Sequence, residues 1–284
     1  MSRSAGQLEP CRQRARPYAP PSIQRKIEKK KVSPMSAPRK PIALSAASLR
    51  VLAMVLMLCD HTWALLLPGE QWLTCVGRLA FPIFAFLLTE GFFHTRSLRR
   101  YCLRMLFWAV VTEIPFNLMM AGAPLYPYHQ NVLWTFLIAL LLMAALDQVR
   151  QRCAPLPSLL LCALLTAAGF LAGYLTMADY YGVGVLTVLV FYFFRGCRWW
   201  DFLGQLVCLY LLHVQLLGGY FFTITLFGRE FEIVQQGLAL LALLPIWLYR
   251  GRQGYHARWF QHFGYAFYPL HMLVLYAIYQ LVTA

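Results

Sequence analysis

Charged residues are scarce in this sequence: Asp, Glu, Lys and Arg make up 13% of 284 residues, against 60% hydrophobic and 15% aromatic. So few charges do not cover the water-facing surface of a chain this long, which excludes an ordinary soluble protein and leaves an integral membrane protein. Acids are rarest, 11 against 25 Lys and Arg. In a soluble chain that imbalance would suggest a nucleic-acid binder, so the positions of the cations decide what it means. Paired cysteines are also missing. The eight Cys stand at 11, 59, 75, 102, 153, 162, 197 and 208 with no Cys-x-x-Cys and no His at ligand spacing, which argues against a disulfide framework and predicts no metal site. There is no G-x-x-x-x-G-K phosphate loop, so a nucleotide hydrolase is unsupported.

What is present divides near Leu44. Residues 1–44 form a basic tail (Arg12, Arg14, Arg16, Arg25, Lys26, Lys29, Lys30, Lys31) with too few apolar residues for a core, and read as disordered. The first apolar run begins late and is long enough to span, so the tail does not read as a secretory signal. Residues 45–284 read as one all-α domain, a polytopic transmembrane helix bundle. Nine apolar runs follow, at about 46–67, 72–93, 102–121, 131–146, 157–175, 182–196, 202–219, 234–249 and 259–281. The fourth, sixth and eighth are shorter than the usual ~20 residues and are expected to be sheltered or to extend into their flanks.

The positive-inside rule tests that count, because a wrong number of spans would scatter the cations onto both sides. With the N-terminus cytoplasmic, 23 of the 25 Lys and Arg fall on inner segments, Arg229 falls on an outer loop, and Arg78 lies inside a span. The basic balance is therefore an orientation signal and an attraction to anionic lipid, in a multi-pass protein of the cell (cytoplasmic) membrane, and no nucleic-acid partner is expected.

The ionisable residues inside the apolar runs remain to be explained. Each is unfavourable by ~2.5 to 3.5 kcal/mol on insertion scales unless it pairs or faces a wet cavity, so these residues are the place to look for function. Asp60 and His61 lie in the first run, Arg78 and Glu90 in the second, Glu113 in the third and His271 in the ninth. At ~1.5 Å per residue, Asp60, His61, Arg78, Glu113 and His271 all fall roughly 18 to 20 Å from the cytoplasmic side or its equivalent, in one layer of the outer half. Glu90 lies near the cytoplasmic end instead. The plain structural reading pairs Arg78 with Glu113 or Asp60 and satisfies His271 on backbone.

Arg50 precedes His61 by eleven residues, which returns to within about 20° of the same helix face some 16 Å lower. One face thus carries a cytoplasmic cation and a deep imidazole, a spacing that suits an anionic head with a long thin arm, the shape of an acyl-coenzyme A. Arg96, Arg99, Arg100 and Arg104 cluster on the turn between the second and third runs, where planar fork donors could grip phosphates. Topology alone would also account for that cluster.

The blocks at 49–61 (ending Cys59-Asp60-His61), 77–86 (Gly-Arg-Leu-Ala-Phe-Pro-Ile-Phe-Ala-Phe), 90–96, 101–104, 113–116 and 131–135, with 179–186 and 265–271, resemble the TraX family. That family takes its name from a conjugal-transfer protein required to acetylate the N-terminus of pilin. The resemblance covers about 49–276 and leaves the basic tail outside. More distantly, Arg50 followed by His61 is similar to the first-helix motif of OafA-type membrane acyltransferases, whose His is the proposed catalytic residue and whose cofactor is an acyl-coenzyme A.

Together these features predict a membrane acyltransferase. Acetyl-CoA would dock from the cytoplasm on Arg50, Arg96, Arg99, Arg100 and Arg104, with no metal required. His61 would act as general base or, failing that, as acetyl carrier, and Arg78 would stabilise the oxyanion. Asp60 lies about 100° round the helix from His61, which assigns it to Arg78 or to the acceptor ammonium, and leaves Glu113 and His271 as orienters of His61. The acceptor, a pilin or other envelope component, would enter from the far side past Asn131 and Asp179, with His271 on that side of the site. Two rivals stand beside this reading. A proton- or solute-coupled transporter also uses intramembrane charges but should show related halves, which the sequence does not. A non-catalytic conjugation or secretion partner predicts that His61 is dispensable.

Overall fold

The computed structural model describes residues 44–226, 229–255 and 257–284; the basic tail lies outside them. The described chain is a helix bundle with seven helical segments long and apolar enough to cross a membrane, and two shorter apolar ones. In chain order these are α1 (Ala46–Leu65), a pair α2 (Gln71–Gly77) and α3 (Ala80–His94) that together make one crossing, α4 (Leu98–Ala121), α5 (Val132–Arg152), α6 (Pro155–Leu175), α7 (Tyr181–Phe193), α8 (Trp199–Tyr210), α9 (Leu243–Trp247) and α10 (Arg258–Thr283). A π-helical stretch, Leu211–Leu217, prolongs α8, and a 3-10 stretch, Gln235–Ala242, leads into α9. The nine expected apolar runs all appear as helices, the fourth at full length as α5.

Local chemistry sets the breaks. Pro82 lacks the amide that would bond to the carbonyl of residue 78, and its ring crowds that carbonyl, so the second crossing is interrupted at Arg78 and Leu79. Ser45, Ser97 and Asn131 cap α1, α4 and α5 by accepting the amides of Ser48, Arg100 and Leu133. Gly122 ends α4 in the left-handed conformation that favours glycine.

The short apolar segment α7 is tolerated because it is sheltered. Nearly all of α7 is buried, packed against α3, α5 and α6, so it meets protein where a longer helix would meet lipid. At the opposite extreme α6 is mostly exposed, with Leu156, Leu159, Leu160 and Leu164 outward, as a peripheral lipid-facing helix should be. Between the π-helical and 3-10 stretches stands an antiparallel hairpin, Phe221–Leu226 (β1) paired with Arg229–Val234 (β2), which the apolar periodicity did not predict.

The bundle has two distinct ends. Its basic end gathers the turn with Arg96, Arg99 and Arg100, the turn after α7 with Arg195 and Arg198, and residues 250–255, whose Arg252 and Gln253 carbonyls accept the first amides of α1. There Arg195 Nε donates to the buried Glu90 at 2.8 Å, tying α3 to the end of α7. At the opposite end the 122–131 loop meets the 176–180 loop through bonds between Gln130 and Met177 and between Asp179 and Gln130.

Candidate functional site

Helix α1 presents Asp60 and His61 to different neighbours, because consecutive helical residues diverge by 100°. His61 faces α10: its Nδ1 lies 2.7 Å from Nε2 of His271, and the two rings are nearly parallel with centroids 4.9 Å apart. The other ring nitrogen of His271, Nδ1, lies 2.7 Å from the Phe267 carbonyl. These contacts fix the direction of every proton. A carbonyl only accepts, so His271 Nδ1 carries the hydrogen and its Nε2 the lone pair; His61 Nδ1–H must then donate to it. In the neutral pair His61 Nε2 is therefore left as a basic nitrogen. His271, expected both as an orienter of His61 and among the acceptor-side residues, is buried in the bundle with its ring hydrogen-bonded to that of His61.

Asp60 faces α2. Its carboxylate accepts from Arg78 Nη2 at 2.5 Å and from the Thr74 hydroxyl at 2.8 Å. Gly77 brings the two helices together: a Cβ there would overlap the Asp60 side chain. Arg78 Nη1 reaches Gln236 Oε1 at 3.4 Å, while its buried Nε finds no protein partner among the described residues. Of the two partners expected for Arg78, the structure selects Asp60.

Glu113 orients neither His61 nor Arg78. Its Oε2 accepts from Asn131 Nδ2 at 2.5 Å and from the Trp134 indole at 2.9 Å. Asn131, expected at the acceptor's entrance, is fully buried, caps α5 and also donates to the Ala109 carbonyl, so it staples α4 to α5. Asp179 does lie at the far end, accepting from His129 Nε2 at 3.3 Å and from the Tyr180 amide at 3.0 Å. That hydrogen bond and the Asp179 charge hold the His129 imidazolium, raising its pKa above the ordinary 6.5 against the opposing effect of burial. Met177, Tyr180 and Tyr181 all have positive φ, so the loop beside Asp179 is strained.

A cleft approaches the histidines from the basic end. Its outer chamber, about 550 Å³, is lined by Arg50, His94, Arg104, Trp108, Gln253 and His262 among others. A narrower inner chamber of about 130 Å³ shares Arg50, Leu87, Tyr101, Gln261 and Tyr265 with it and ends among Met57, Val132, Leu133, Phe136 and Tyr268. Met57 is one turn from His61 on the same face of α1, and the Tyr268 ring lies 6.2 Å from the His61 ring. Tyr268 thus lines the inner end of the cleft and stands beside both histidines. Of the five cations expected to hold the donor, Arg50 and Arg104 line the cleft; Arg96, Arg99 and Arg100 are exposed at the same end without lining it.

Sequence reasoning passed over His213, Gln236 and Thr187, which continue the Arg78 network. A lone polar residue in an apolar run carries little signal until its partners are known. The π-helical winding that places His213 leaves no mark in the hydrophobic pattern.

No solved structure matches the chain. The Probable fimbrial assembly protein FimC, serogroup H1, of Dichelobacter nodosus is 31% identical to it over 247 residues, covering 82% of this chain and 95% of the relative. The family described as TraX protein matches residues 45–279. With the resemblance running through the helices that carry both histidines and the cleft, this chain belongs to the TraX family.

Proposed function

We propose that this protein is a membrane acyltransferase that moves an acetyl group from acetyl-CoA to an amine or hydroxyl of a pilus or other envelope component. The observation that carries the reading is the cleft itself: it opens beside Arg50 and Arg104 and ends at Tyr268, against a histidine pair whose hydrogen bonds leave Nε2 of His61 basic. The fimbrial assembly name of the relative supports a pilus subunit as acceptor. The excess of Arg at the cleft mouth supports a cytoplasmic mouth in the cell membrane, the side on which acetyl-CoA is found.

The chemistry needs few groups. Arg50 and Arg104 hold the anionic head, and the apolar inner chamber takes the thin pantetheine arm. His61 Nε2 removes the acceptor's proton as its nitrogen or oxygen attacks the thioester carbonyl; the carbon–sulfur bond then breaks, and His61 returns the proton to the departing thiolate. Throughout, His61 Nδ1–H remains on His271, which keeps the ring oriented and shares the charge of the transient imidazolium. Arg78, clamped by Asp60 and with Nε unpartnered among the described residues, supplies positive charge for the developing oxyanion.

The test is transfer of labelled acetyl groups from acetyl-CoA in membranes holding the full chain, with the labelled component identified by mass spectrometry. His61→Ala is expected to abolish transfer by roughly 100-fold or more without loss of folded protein. Replacing Arg50 and Arg104 by Gln should raise KM for acetyl-CoA more than it lowers kcat. Undiminished labelling in His61→Ala, or solute uptake into vesicles with no need for acetyl-CoA, would overturn the reading.

A further inference from the structure

Three polar side chains from three elements meet in the middle of an apolar bundle. His213, on the π-helical stretch Leu211–Leu217, is fully buried; Thr187 on α7 is fully buried; Gln236, in the 3-10 stretch, is 6% exposed. Buried polar groups of this kind are retained only when every bond is made, since a half-satisfied cluster is worse than an apolar one. Here each bond is made, and in one direction.

The direction follows from the end of the chain. Thr187 Oγ1 donates to the Val183 carbonyl at 2.9 Å, so toward His213 Nε2, 3.1 Å away, it can only accept. His213 therefore carries its hydrogen on Nε2 and presents a lone pair at Nδ1. That lone pair accepts from Gln236 Nε2 at 2.9 Å, which turns the amide so that its oxygen faces Arg78 Nη1 at 3.4 Å. With the amide reversed, NH2 would meet guanidinium donor to donor. The other edge of the guanidinium is gripped by Asp60 and Thr74. Two grips at opposite edges fix both its position and its rotation, and leave Nε as the donor without a protein partner among the described residues.

We infer that His213 is a positioning residue: acting through Gln236, it sets the rotation of the Arg78 guanidinium and so the direction in which the free donor points. This inference rests on the acyltransferase reading for its consequence in catalysis, but the clamp itself does not. A π-helical stretch is an uncommon winding that recurs at functional sites, and here it holds His213 in register with Thr187 and Gln236. Among the described residues, Thr187, His213 and Gln236 line neither chamber of the cleft and make no hydrogen bond to the histidine pair; their hydrogen-bonded link to the site is the one from Gln236 to Arg78.

The experiment uses the full chain in detergent or membranes, with arginine side chains labelled with nitrogen-15, and the same samples assayed for acetyl transfer. A clamped guanidinium rotates slowly and gives Arg78 separate Nη resonances, assigned by their loss in Arg78→Lys. His213→Phe, similar in shape but without the bonds, should merge them and lower kcat by roughly 10- to 100-fold with KM for acetyl-CoA little changed. His213→Gln, whose amide can both accept from Gln236 and donate to Thr187, should restore both, and Gln236→Leu combined with His213→Phe should be no worse than either alone. Separate Nη resonances that persist in His213→Phe would overturn the clamp whatever the activity. Merged resonances with unchanged turnover would overturn its role in the reaction. Merged resonances in a protein whose wild type transfers no acetyl group would support the clamp and overturn the acyltransferase reading instead.

Discussion

At the scale of residues, the site depends on how closely α1 and α2 approach. Gly77 lets Thr74 and Arg78 reach Asp60, because no side chain stands between the helices there. Gly77→Ala places a methyl group on the Asp60 side chain and should destabilise the folded protein by about 1 to 3 kcal/mol, the usual range for overpacking. Thermal unfolding in detergent would measure it; an unchanged midpoint would mean that the helices do not approach so closely. The sequence made the ionisable residues visible, since charge inside an apolar run demands an explanation. It did not make their pairing legible. Depth is a single coordinate, and Asp60, Glu113 and His271 share it; which of them meets Arg78 or His61 depends on the rotation of each helix about its axis and on which helices are neighbours. The 100° between Asp60 and His61 could be computed and correctly sent them to different partners. Glu113 went to Asn131 and Trp134 because α4 packs on α5 along that face, which nothing local announces.

At the scale of elements, hydrophobic run length located the helices well, but the break at Arg78 and Leu79 ahead of Pro82 was not read, since prolines also stand inside the unbroken α4 and α10. The hairpin β1–β2 was not legible, because its strands alternate too briefly between two apolar runs to register against the helical pattern. The loops at the far end were read from the sequence as a motif and, at Asp179, as the acceptor's entrance; they are also where strain concentrates: Met177, Tyr180 and Tyr181 hold positive φ while Asp179 holds His129. That tie has a defined pH dependence. His129 is raised above 6.5 in the folded protein, by its hydrogen bond to Asp179 first, so its contribution to stability is full below the unfolded pKa and is lost as pH rises through the higher folded value. Hydrogen exchange or proteolysis across residues 122–131 should therefore be slow at pH 6 and accelerate on the alkaline side of about 6.5. His129→Gln should remove that dependence, and an acceleration toward acid in the parent protein would contradict the tie.

At the scale of the whole molecule, the two ends of the bundle give the proposed reaction its direction. The larger chamber of the cleft lies at the end that carries the arginines, which is where the proposed donor would arrive, while Asp179 and His129 lie at the opposite end. Helix α4 connects the two faces: at about 1.5 Å per residue its 24 residues span roughly 36 Å, enough to cross the apolar core. Arg99 stands exposed in its first turn, and Leu125, 80% exposed, lies just beyond its last. With the native cysteines replaced, a membrane-impermeant thiol reagent added to intact cells should label Leu125→Cys at once and Arg99→Cys only after permeabilisation. The opposite pattern would place the mouth of the cleft away from the cytosolic pool of acetyl-CoA. Arg50 and Arg104 would then hold some other anion, and the proposed docking of acetyl-CoA against them would fall.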